Sequence, residues 1–131
     1  MNHKKDTEQV RQAKEQKLAA AAKMLEKKRN RLVEDYFGGK ISNFLLLHSR
    51  ILDDYFCETF EHSIVGPRIG LTKNPYAIIA LGGYGREEQC VHSDIDLLIL
   101  FKDAVPSSAE DLIREVAYPL WDQGLDISQS T

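Results

Sequence analysis

The sequence predicts an α+β fold, with N-terminal helices followed by a small mixed sheet that has helices packed on it and looks truncated. Three observations predict it. Two long stretches of helix formers fill the first half, two short apolar runs at 77–81 and 97–101 follow close together, and an amphipathic stretch after residue 108 separates them from a third run. At 131 residues, 43% hydrophobic and 28% charged, the chain can bury one modest core and form at most one ordinary domain with an appendage.

Taken in order, residues 7–37 contain few turn formers, and Leu18, Leu25 and Leu32 recur at heptad spacing, with Ala21, Ala22, Val33 and Tyr36 filling the stripe. One long helix is expected, its polar first turns projecting into solvent or pairing with another chain, so self-association through this helix is a candidate interaction. Gly38 and Gly39 end it. A second helix is expected from an N-cap at Ser42 to Glu61, with Phe44, Leu47, Ile51 and Tyr55 on one face and Leu45, Leu52 and Phe56 beside them. His48, near that stripe, reads as a packed or half-exposed histidine rather than a ligand. Residues 63–75, with Gly66-Pro67, Gly70 and Asn74-Pro75, form a connection to the first strand. After the second strand, Ser108 and Asp111 have capping-box spacing for a third helix, which Pro119 should kink or end, and Gly124 releases the chain into a strand over Leu125–Ser130. The expected division is therefore a charged helix at 1–40, a second helix and loop at 41–75, and an incomplete core at 76–131.

Charge is unevenly distributed. Residues 1–35 carry a net +4 and the remainder a net −7. The basic end reads as a solvated, charge-laced helix; an acidic partner is the other reading, and nucleic acid is not expected. No run of about 18 apolar residues occurs, and charges stand where a signal peptide has its apolar core, so no membrane contact and a cytoplasmic location are expected. Cys57 and Cys90 fit neither a disulfide framework nor zinc spacing and read as reduced thiols.

Chemistry concentrates in residues 76–101. The run Ala77–Leu81 ends in Gly82-Gly83, where the backbone can approach a phosphate closely. Asp94 and Asp96 stand two apart at the head of the next apolar run, and a strand's period of two puts both carboxylates on one face. Like charges held so close repel, and a divalent cation removes the repulsion. Oxygen ligands on a strand suit magnesium, which takes the rest of its shell from water and substrate phosphates. A dinucleotide fingerprint fails because Glu88 occupies its third glycine position, and no Gly-Lys-Ser/Thr follows to make a Walker-type loop. What remains is a loop and helix N-terminus for a triphosphate with a carboxylate pair for Mg2+. Arg86 either reaches a phosphate or pairs with Glu87 or Glu88. Ser93 either bonds a phosphate, orients Asp94 or starts the strand. Tyr84 and His92 read as packing and surface residues. Taken singly, each half of the motif also fits a tight turn with acids marking a strand start.

The segments Gly82-Gly83-Tyr84-Gly85-Arg86 and Ser93-Asp94-Ile95-Asp96-Leu97-Leu98 resemble the nucleotidyltransferase fold shared with DNA polymerase beta. More narrowly they resemble the bacterial uridylyltransferase/uridylyl-removing enzymes that modify the nitrogen-regulatory PII protein, with weaker support from Leu120 to Ser130. The likeness covers about residues 44–131. Two departures mark this chain: Glu87 stands where that family usually has glycine, and Gln89-Cys90-Val91 replaces a more usual Leu and Pro-containing segment. The resemblance implies metal-dependent transfer of UMP from UTP to a PII-type protein, with Asp94 and Asp96 catalytic and metal-binding, and Gly82, Gly83, Arg86 and Ser93 on the nucleotide. It also implies that a third carboxylate lies beyond residue 131, Asp126 being the one nearby candidate here, and that this fragment alone is inactive. Two alternatives stay open: a different nucleotidyltransferase with a protein or small-molecule acceptor, and a non-catalytic regulatory or binding module of the same fold.

Overall fold

A single helix, α1 (His3–Phe37), opens the computed structural model, which describes residues 3–68, 76–91, 93–107 and 109–130. Leu25 and Leu32 of the heptad stripe are buried and Leu18 is half-buried. The helix ends as the glycine pair predicts: Gly39 takes φ 73, its N–H bonds to Tyr36 O at 3.1 Å, and the Lys40 N–H reaches Asp35 O at 2.9 Å. That bond pair is a Schellman cap, which uses glycine's access to left-handed backbone.

The second helix, α2 (Phe44–Glu61), starts one residue later than an N-cap at Ser42 implies. Its N-cap is Asn43, not Ser42, and no side chain caps it; the first turn is closed by Leu47 N–H on Asn43 O at 3.1 Å. Its buried face is also rotated. Leu52, Tyr55, Phe56 and Thr59 are buried together with His48 and Ser49, while Leu45 is exposed and Phe44, Leu47 and Ile51 are half-buried. His48 is packed, as the sequence indicates. Inside the expected connection lies one helical turn, α3 (Val65–Arg68). It forms despite Gly66-Pro67 because Ser63 Oγ accepts from Gly66 N–H at 2.9 Å, and Glu115 Oε2 accepts from Ile64 and Val65 N–H at 2.9 and 3.2 Å. Gly70 and Asn74-Pro75 lie outside the described residues.

Three strands make a mixed sheet in the order β1 (Tyr76–Ala80), β2 (Ile95–Phe101), β3 (Ile127–Ser130). β1 and β2 are antiparallel, with Ala80 opposite Leu97 and Ile78 opposite Ile99, and β3 runs parallel to β2. Leu81 is not in β1; it is the extended N-cap of a single helical turn, α4 (Gly82–Gly85), although its N–H still bonds Asp96 O at 2.9 Å. The last helix, α5 (Ala109–Asp122), runs through Pro119 rather than ending there. Proline costs the helix one N–H bond and crowds the carbonyl one turn earlier, and a second Schellman cap at Gly124 (φ 78), with Leu125 N–H on Leu120 O at 2.8 Å, closes the helix beyond it. The expected capping residue Ser108 lies outside the described residues.

Alternation along β2 decides which face is core. Ile95, Leu97 and Ile99 are buried, and Ile95 and Leu97 share one apolar cluster with Leu25 of α1, Leu52 and Phe56 of α2, and Val116 and Leu120 of α5. The opposite face is open: Ile79, 39% exposed, pairs with Leu98, and Leu100 is 51% exposed. Asp96 falls on this open face, two residues before Leu98. Among the described residues no helix is long and apolar enough to cross a membrane.

Candidate functional site

At the end of the β1–β2 ladder, Gly83, Arg86, Ser93, Asp94 and Asp96 line one cavity of about 590 Å³, together with Leu45 of α2 and Glu88, Gln89 and Cys90. Five of the six residues singled out in the sequence thus meet at one cavity. The sixth, Gly82, does not line it but backs onto Asp96: a β-carbon there would stand 2.6 Å from Asp96 Oδ2, and its φ is 56. Only glycine satisfies both constraints. A β-carbon on Gly83 would meet Glu88 O at an ordinary 3.5 Å, so the two glycines of the motif are not equivalent. Gly85 is the other obligatory one, since a β-carbon would lie 2.6 Å from Ala80 O.

Asp94 stands one residue ahead of β2 and is exposed, whereas Asp96 is within the strand and half-buried. The carboxylates therefore reach the cavity from different backbone environments, one from a loop and one from a ladder. Arg86 pairs with Glu88 at 3.6 Å, both side chains being more than half exposed. Tyr84 is a packing residue as expected; its ring is buried against Phe56 and its hydroxyl donates to Asp53. Burial and the neighbouring Asp53 carboxylate push its hydroxyl well above the ordinary phenol range. Cys57 and Cys90 are free and exposed. His92 lies outside the described residues, and the side chain of Asp126 is exposed on the segment leading into β3.

The cation expected from the motif is magnesium, and the donors fit half of a site for it. Two carboxylates and the Ser93 hydroxyl share the cavity. Among the described residues no group of three or more His, Cys, Asp or Glu could hold a metal ion. Two carboxylates leave most of a magnesium shell to water and phosphate oxygens, which is the ion's usual habit beside a nucleotide.

A polar chain behind the cavity escaped the sequence reading. Gln89, 1% exposed, donates from Nε2 to Ser93 O at 2.8 Å and to Cys90 O and Asp94 O at 3.3 Å. Its N–H donates to Ser49 Oγ at 3.1 Å, and its carbonyl accepts from His48 Nδ1 at 2.9 Å. Arg29 Nε donates to His48 Nε2 at 3.1 Å, which makes that nitrogen the acceptor and leaves the ring proton on Nδ1. Burial, and secondarily the Arg29 charge, lower the pKa of His48, against the opposing pull of its bond to Gln89 O. Arg29 also donates to Val91 O at 3.3 Å. One signal for it was present: Arg29 is four residues after Leu25 and three before Leu32, a charge on the buried stripe.

The family described as "Putative nucleotidyltransferase DUF294" matches residues 27–125. The chain is 35% identical over 88 residues to a bifunctional uridylyltransferase/uridylyl-removing enzyme of Methylococcus capsulatus, covering 67% of this chain and 10% of that protein. It is 52% identical over 54 residues to the protein of that name from Pseudomonas putida strain W619, covering 41% of this chain and 6% of that one. With the counterpart from Pasteurella multocida it shares 45% identity over 64 residues, 48% of this chain and 7% of the relative. The chain thus spans about a tenth or less of the length of these relatives. No solved structure matches it.

Proposed function

The chain belongs to the DUF294 nucleotidyltransferase family, and from that premise we propose that it forms the N-terminal part of a metal-dependent enzyme that transfers UMP from UTP to a PII-type regulatory protein. The observation that carries the reading is the convergence of Asp94, Asp96, Ser93, Gly83 and Arg86 on one cavity. Magnesium, when bound, would neutralise the triphosphate and stabilise the charge that moves onto the leaving pyrophosphate. Asp94 and Asp96 would hold it. Gly82 and Gly83 leave the main chain bare, so that phosphate oxygens can approach within hydrogen-bond distance. Arg86 is held by a surface ion pair that solvent weakens, and its guanidinium can turn from Glu88 to a phosphate. Ser93 is placed to donate to a phosphate oxygen. The acceptor hydroxyl and the third carboxylate belong to parts of the reaction that these residues do not supply, so the chain alone is expected to bind nucleotide without turnover.

Thermal melts of wild type and Asp96→Asn, each with and without magnesium and UTP, test this. Wild type should be stabilised by UTP more with the ion than without it, the stabilisation with the ion being about 2.7 kcal/mol when UTP is at a hundredfold excess over its Kd. Asp96→Asn should abolish the magnesium dependence while preserving or slightly raising basal stability, because it removes one of two like charges. A variant destabilised by about 1 kcal/mol or more, beside a wild type with no magnesium-dependent shift, would leave the carboxylates a structural role and defeat the reading. CTP, ATP and GTP in the same assay decide the base.

A further inference from the structure

Asp94 has no strand to hold it. It lies in the segment between Glu88 and β2, among whose described residues no ladder bond forms before Ile95 N–H reaches Asp126 O at 2.9 Å, yet it must sit within reach of the same ion as Asp96. We propose that Gln89 is the positioning residue of the carboxylate pair, its buried carboxamide gathering the carbonyls of Cys90, Ser93 and Asp94 around itself so that Asp94 is delivered beside Asp96.

The hydrogen bonding supports this directly. The side-chain atom surrounded by the carbonyls of Cys90, Ser93 and Asp94 can only be the amide nitrogen, since an oxygen there would face three acceptors. Its two protons give one short bond, to Ser93 O at 2.8 Å, and share the two longer contacts at 3.3 Å. These three carbonyls belong to the loop that carries Asp94. The carboxamide is itself immobilised, because the Gln89 main chain is held on both sides by α2, through Ser49 Oγ and His48 Nδ1, and His48 is held in turn by Arg29 of α1. Ser49 completes its own bonding by donating to Leu45 O at 2.9 Å. The chain of contacts runs from α1 through α2 to the loop, so the N-terminal helices brace the site rather than merely precede it. Groups that orient ligands in this way govern metal affinity nearly as strongly as the ligands do.

The inference rests on the metal reading of the cavity, and the test separates the two. Gln89→Met keeps the side chain's length and removes its hydrogen bonds. Manganese stands in for magnesium, and its binding to the intact chain is followed by electron paramagnetic resonance of the free ion, with no nucleotide present. Hydrogen exchange of the amides in residues 90–96 and circular dichroism are recorded on the same samples. At a temperature where both proteins are folded, Gln89→Met should bind manganese about tenfold more weakly or worse, with faster exchange confined to residues 90–96. Wild-type affinity in the folded variant overturns the proposal and leaves the metal reading standing. If wild type and Asp96→Asn both fail to bind manganese, the metal reading falls and takes the proposal with it. Should Gln89→Met not fold, Ser49→Ala releases the Gln89 N–H and leaves the carboxamide in place. It should weaken manganese binding in the same direction by a smaller factor, and unchanged affinity there also overturns the proposal.

Discussion

At Glu87 the backbone takes φ 60 with a side chain attached. Its N–H bonds Tyr84 O at 3.0 Å and the Glu88 N–H bonds Gly83 O at 2.7 Å, the same cap that glycine makes at Gly39 and Gly124. The α4 turn is thus closed by a Schellman motif with the wrong residue in its left-handed position, and the strain of that conformation is about 1 kcal/mol. Glu87→Gly should therefore raise stability by no more than about 0.5 kcal/mol in urea unfolding, net of glycine's greater freedom in the unfolded chain; a loss of stability would mean that the Glu87 side chain supports the fold in some other way. Residue-scale features of this kind were legible wherever chemistry follows from one position. Gly82, Asp94 and Asp96 could be named from the sequence because close approach and charge repulsion belong to the residues themselves. The different roles of Gly82 and Gly83 were not legible, since only the position of Asp96 Oδ2 distinguishes them.

Elements were predicted well where their signals are local and less well where tertiary partners decide. The capped ends of α1 and α5 follow from Gly39 and Gly124, but the turn of α3 depends on bonds to a distant group, Glu115, and α2 takes Asn43 as its N-cap with no side-chain bond to mark it. The buried face of α2 was misread because it contains His48 and Ser49, polar residues whose burial is allowed only by Arg29 and Gln89 from elsewhere in the chain. That packing makes α2 sensitive to acid. His48 faces the Arg29 guanidinium, the Gln89 carbonyl and the stacked ring of Phe44 at 5.6 Å, and its pKa is lowered from 6.5 chiefly by burial. Because the unfolded chain then binds the proton more readily than the fold does, stability rises with pH through this titration. The His48 contribution is intact above about pH 6.5 and is lost as pH falls from there toward the lowered folded value, below which it declines no further. Unfolding measured from about pH 7.5 to pH 5 should show a steeper fall in wild type than in His48→Gln, other titrating groups being common to both. Equal slopes would show that His48 takes up its proton without disturbing the contact with Arg29.

On the scale of the whole molecule, the sequence divides into a charged helix, a second helix and a sheet, with a net charge that changes sign near residue 35. The apolar contacts do not follow that division. Leu25, 1% exposed, belongs to one cluster with Leu52 and Phe56 of α2, Ile95 and Leu97 of β2, and Val116 and Leu120 of α5. Composition conceals this, because a helix that is mostly polar needs only a narrow stripe to dock, and three leucines at heptad spacing provide it. Docking of α1 also has a polar component, since Arg29 bonds Val91 O, and Gln123 Nε2 after α5 donates to Ala22 O at 3.1 Å. If α1 is part of the common core, truncating Leu25 should weaken the entire structure at once. Leu25→Ala is expected to cost about 2–5 kcal/mol, the range for a fully buried leucine whose cavity does not collapse. It should lower the melting temperature by the same amount whether followed by helix signal or by the fluorescence of Trp121, which is on α5, far along the chain from the mutation. Two separate transitions, with Trp121 unaffected by the first, would instead show α1 melting as an independent appendage, and the sheet with its carboxylates would then stand without it.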